Sequence, residues 1–165
     1  MFGWFKKKKT TEDIISTAHT QTHDLFSTLG IVRNLAMLHK LALEGEASDE
    51  ECNDLVMGAY RTLYLAAGVA KHRAQDESKD PAVGNQAANS ILNGSGLSNI
   101  AQMIKESIPS REFEPLLALG EEVQYLFQAA TILDRLVKKR RLEEAHEVWR
   151  ACAKGSYGEL RLYLD

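Results

Sequence analysis

Apolar side chains return every three or four positions along almost the whole chain, and this rhythm limits the fold more than any other feature. A helix of 3.6 residues per turn gathers such positions on one face, whereas a half-buried strand needs strict alternation. The clearest run is Ile15, Ala18, Thr22, Leu25, Leu29, Val32, Ala36, His39 and Leu43, with Thr22 and His39 as polar interruptions and Ile14, Phe26 and Leu35 widening the stripe. The spacing predicts a long first helix from about Glu12 to about Leu43, opened by Thr11-Glu12-Asp13 and stopped by Gly45. At ~1.5 Å per residue it would reach about 48 Å, too long for a compact domain unless it bends or breaks. Gly30 and the threonine-rich stretch around His19 are the candidate bends.

Further helices follow from the same rhythm. Ser48 and Glu51 form a capping-box signature that opens a helix to about Ala74, and its small residues (Gly58, Ala59, Ala66, Ala67, Gly68) suit a central position. Residues 75–96 carry QDESKDP at one end and NGSG at the other, which predicts an irregular, flexible middle loop, with room for a short helix over 85–93. Leu97–Ile108, about Arg111 to about Arg140, and a segment from Arg141 onward complete the set. Only 3 prolines and 11 glycines occur among 165 residues, too few for the many turns of an all-β chain. The expected fold is all-α: an antiparallel bundle of four to five helices in one domain over residues 11–165, preceded by a separate segment, 1–10.

Charge and cysteine content narrow the function classes. The net charge is −3, but Lys6, Lys7, Lys8 and Lys9 supply four of the 20 basic residues; without them 16 stand against 23 acids, −7. Setting aside Lys138, Lys139, Arg140 and Arg141 as well leaves 12 against 23, −11. Such a body repels phosphate backbones over most of its surface, which argues against a nucleic-acid partner. Cys52 and Cys152 without a CxxC pair give neither a disulfide framework nor a zinc site, and both read as small buried thiols. No apolar segment follows the basic N-terminal stretch, so no secretory signal is expected, and a cytoplasmic location follows.

Four patterns could carry function. Phe2, Trp4 and Phe5 ahead of Lys6–Lys9 would suit an anionic membrane surface, since aromatics settle among headgroups and each basic residue adds about 1 kcal/mol there. His19 and His23, four apart on one helix face, supply at most two metal ligands, and no further ligands are spaced to complete a site. No cofactor is expected. The third pattern is a pair of Arg…His spacings. Arg33-Asn34 with His39 resembles the Arg-polar-x-His signature of the HEPN ribonucleases, small all-α bundles in which paired Arg and His cleave RNA, commonly across a dimer. Arg141 with His146 is similar to it, although Leu142 stands where the polar residue belongs. The resemblance implies His39 or His146 as acid–base group and the arginine as phosphate holder. The fourth pattern lies in Ala129, Ile132, Leu136, Ala145, Trp149 and Cys152, which resemble the small-and-large alternation of a tetratricopeptide hairpin, present in one copy only.

The sequence therefore points to a non-enzymatic helical interaction protein, an adaptor, regulator or inhibitor that binds a protein partner, with attachment to the inner face of a membrane through the N-terminal segment. A HEPN-like ribonuclease is the alternative. The reach of the first helix also allows pairing with a second copy as a homodimer.

Overall fold

The computed structural model describes residues 6–108 and 119–163, and every regular element in them is helical. In chain order these are α1 (Thr11–Thr28), α2 (Ile31–Leu43), α3 (Asp49–Ser78), α4 (Pro81–Gly94), α5 (Gly96–Ser107), α6 (Glu122–Lys138) and α7 (Leu142–Lys154), followed by a 3₁₀ helix over Tyr157–Tyr163. The all-α class holds, but four to five helices undercounts the seven α-helices of the described residues.

The first break is at Gly30. The expected single helix to Leu43 is two, because Leu29 caps α1 and Gly30 takes a left-handed conformation (φ 68°). A residue outside helical geometry resets the rotational phase. A stripe counted across position 30 therefore does not continue, and Ile31 and Leu35 are buried while Ala36 and Leu43 are exposed.

The middle loop is also corrected. α3 runs on through Gln75 to Ser78, and only Lys79 and Asp80 separate it from α4. Asp80 and Pro81 form a start signal: the Asp80 carboxylate accepts from the Ala82 N–H at 2.9 Å, and Pro81 sits in the first turn, where its missing N–H costs nothing. Weak formers such as Gly84 and Asn85 are held helical because Val83, Gly84, Ala87, Ala88 and Ile91 are buried. Ser95 then caps α5. Of the helix expected over 111–140, residues 111–118 lie outside the described residues. Gly120 (φ 41°) interrupts it, and α6 starts at Glu122.

α3 is the axis of the molecule and packs against each of the other six α-helices. Its capping box is complete, with Ser48 Oγ accepting from Glu51 N–H (3.2 Å) and Glu51 Oε2 from Ser48 N–H (2.7 Å). The small residues do what their size allows. A Cβ on Gly68 would lie 2.8 Å from Ala130 Cβ and 3.1 Å from Phe127 Cα, so α6 approaches α3 at backbone distance there. The α6–α7 hairpin is also as expected, with Ala129, Ile132, Leu136, Ala145, Trp149 and Cys152 all buried.

Candidate functional site

α2 (IVRNLAMLHKLAL) carries apolar side chains beyond the face it turns to the core, with Arg33 and Lys40 together on one polar edge. Among the described residues it packs closely on α1, α3 and α5. Ile31 and Leu35 face the core, while Met37 (56% exposed), Leu38 (43%), Leu41 (45%) and Leu43 (60%) do not. Scattered exposed leucines are ordinary, but four large apolar side chains within seven residues of one helix are not.

Leu38 continues this surface into a groove of about 340 Å³ between α2, α3 and α7. Leu35 and Leu38 form one wall, Leu55 and Gly58 the α3 side, and Trp149, Arg150, Ala153 and Lys154 the other wall. Trp149 is fixed by a relay: its Nε1–H donates to Thr62 Oγ1 at 2.8 Å, and that hydroxyl donates to the Gly58 carbonyl at 2.8 Å. α3 and α7 come close because Gly58 has no side chain; a Cβ there would stand 3.3 Å from the Ala153 carbonyl oxygen.

Arg61 closes the end of the groove and is held by two partners. Its Nε and Nη2 donate to the Glu122 carboxylate at 2.8 and 3.2 Å, and its Nη1 to the Ala153 carbonyl at 3.2 Å. Tyr157 donates its hydroxyl to the same carboxylate at 2.9 Å. The hydrogen bond from Arg61 holds the Glu122 carboxyl below its ordinary range, against the upward push of burial. Burial and the adjoining carboxylate raise the Tyr157 hydroxyl. Gly155 is required twice over in this corner: it ends α7 at φ 72°, and a Cβ would meet Arg61 Nη2 at 2.9 Å.

A second polar cluster is buried between α3 and α6. Asp134 is fully buried, and its Oδ1 accepts from Arg73 Nη2 (2.6 Å) and Nε (3.0 Å). Lys138 Nζ lies 2.9 Å and His72 Nε2 3.7 Å from Oδ2. Burial pushes this carboxyl up, but the hydrogen bonds and charges of Arg73 and Lys138 outweigh it and hold it below its ordinary value. Two cations thus converge from α3 and α6 on one buried carboxylate, which suits a structural tie.

The residues singled out from sequence lie apart. Arg33 is exposed and Asn34 half-buried on α2. His39 lies 2.8 Å from Ser107 Oγ. That hydroxyl spends its proton on the Met103 carbonyl (2.7 Å), so His39 Nε2 is the donor. Arg141 pairs with Glu144 in the first turn of α7, and His146 is half-buried on that helix with its Nδ1 unpartnered among the described residues. No described contact joins the Arg33–His39 pair to the Arg141–His146 pair.

His19 and His23 stack at 5.7 Å, but each is engaged elsewhere: His19 Nδ1 lies 2.8 Å from Ser90 Oγ, and His23 Nε2 accepts the Gly96 N–H at 3.2 Å. Among the described residues no group of three or more His, Cys, Asp or Glu is arranged to hold a metal. Phe2, Trp4 and Phe5 lie outside the described residues. Lys6, Lys7, Lys8 and Lys9 are exposed, and Lys9 Nζ reaches Glu77 at 3.0 Å. No described helix is long and apolar enough to cross a membrane. Cys152 is buried, and burial pushes its thiol up to about 12; Cys52 is half-buried.

Sequence reasoning missed the α2 groove and Asp134. The signal for Asp134 was its place in the apolar stripe of Ala130, Leu133 and Val137, where an acid needs a partner from another helix. Compared with known proteins, the chain matches no family model, no curated protein and no solved structure.

Proposed function

We propose that this chain is a non-enzymatic helical interaction protein that binds a protein partner through the outward face of α2 and the groove beside it. The observation that carries the reading is the exposure of Met37, Leu38 and Leu41 along one side of α2. A helix laid into such a groove would bury the apolar surface that the fold leaves in water, the mode by which amphipathic helices are recognised elsewhere. The rest of α2 serves this role by anchorage. Ile31 and Leu35 hold it to the core, and His39 ties it to α5 through Ser107.

The test is a photo-crosslinking amino acid at Leu41 in cells, with and without Leu38→Glu. The expected result is a discrete adduct with another protein that disappears when Leu38 is charged. Absence of an adduct, or one between two copies of the chain, would refute the reading.

A further inference from the structure

We infer that the groove between α2, α3 and α7 takes an acidic amphipathic helix of a protein partner, with leucine-like side chains in the groove and carboxylates along both edges. The inference rests on the docking role proposed for α2 and adds the partner's chemistry. That chemistry is read from the charges around the apolar floor. On the α7 wall, Arg150 and Lys154 are four residues apart on one face, about 6 Å along the axis at ~1.5 Å per residue. On the far side, Arg33 precedes Met37 and Lys40 precedes Leu41, so at 3.6 residues per turn both cations flank the exposed stripe.

Arg33, Arg150 and Lys154 are exposed, and among the described residues none of the three is in an ion pair. Lys40 is held only by an exposed contact of 3.8 Å to Glu44. Among the described residues Asp54 is the one acid lining the groove, and Arg61 is already held by Glu122 and Ala153. Two basic edges on either side of an apolar floor are unusual in a chain of net charge −3. They match a helix whose apolar face is bordered by Asp or Glu on both sides and would repel a basic one. A second copy fits less well, because α2 would bring Arg33 and Lys40 against Arg150 and Lys154.

The experiment uses the full chain carrying Trp4→Phe, which leaves Trp149 in the groove as the sole tryptophan of the original two. Two synthetic helical peptides with the same leucine stripe, one flanked by glutamates and one by lysines, are titrated against its fluorescence. The glutamate peptide should bind at least about tenfold tighter at low salt, a difference near 1.4 kcal/mol. The advantage should shrink at high salt and invert in Arg150→Glu/Lys154→Glu. If both peptides bind alike and Leu38→Glu abolishes both, the acidic partner is wrong while docking on α2 stands. If neither peptide binds, or Leu38→Glu changes nothing, both readings fall. A doubling of mass in sedimentation that Leu38→Glu reverses would assign the groove to a second copy and overturn the inference. A Trp149 response to anionic vesicles but not to peptides would overturn it in favour of a membrane.

Discussion

Replacing Asp134 by alanine should be among the most damaging single changes in the molecule. The carboxylate is wholly buried, and it is the charge partner of Arg73, whose side chain is only 16% exposed. Its removal strands a guanidinium whose remaining described contact is Gln21 Oε1 at 3.4 Å. Breaking one side of a buried pair costs about 3–5 kcal/mol. Lys138 adds little, because at 60% exposure it recovers its hydration. We expect about 3 kcal/mol from urea unfolding, or roughly 6–12 °C in Tm for a chain of this length. Asp134→Asn keeps the size but not the charge and should cost about 2 kcal/mol. Arg73→Met with Asp134→Leu should recover most of the loss, since an apolar pair of similar volume removes the stranded charge. The carboxyl is held below its ordinary value of 3.8 in the folded chain, so its contribution is complete above that pH and fades as pH falls through the folded value. That acid-limb component should be missing in Asp134→Asn. An Asp134→Ala variant within ~0.5 kcal/mol of the wild type would refute the argument.

Three further outcomes test the packing and the histidine pair. Gly68→Ala places a methyl 2.8 Å from Ala130 Cβ and 3.1 Å from Phe127 Cα; overpacking of about 1–3 kcal/mol should exceed the ~1 kcal/mol gain in helix propensity. Gly94→Ala, with nothing within 4 Å of its Cβ, should be neutral or stabilising in the same urea series. For His19, burial and the charge of His23 lower the folded value below 6.5, so the unfolded chain binds the proton more readily. Stability should be full above about pH 6.5 and fall as pH drops through the folded value, and His19→Gln should flatten that slope in pH-dependent urea melts.

Much of the helical architecture was legible in the sequence because it follows from local chemistry. The Ser48 box, the small residues of α3 and the α6–α7 hairpin depend on near neighbours or on size, and both are written in the residues. The middle segment was harder, since Asp80-Pro81 reads equally as a loop or as a cap with a proline in the first turn. Burial of Val83, Ala87 and Ile91 against α3 decides between them. The candidate site was barely legible. Periodicity finds that Leu38 and Leu41 are apolar, but their exposure depends on the phase reset at Gly30 and on which helices reach α2. The cationic borders combine Arg33, a residue noted for another reason, with Arg150 and Lys154, more than a hundred positions away.

The common neighbour of all the other helices, α3, also sets how the chain comes apart. With each of the six other α-helices resting on those thirty residues, no pair of helices has a private core to survive on, so the body should melt in a single cooperative step. α2 is the exception within it, resting more lightly on α3 than any of the others and joined to α1 through the left-handed Gly30. Its amides should exchange with solvent well before those of α3, leaving a surface that can adjust to a visitor while the scaffold beneath it stays closed.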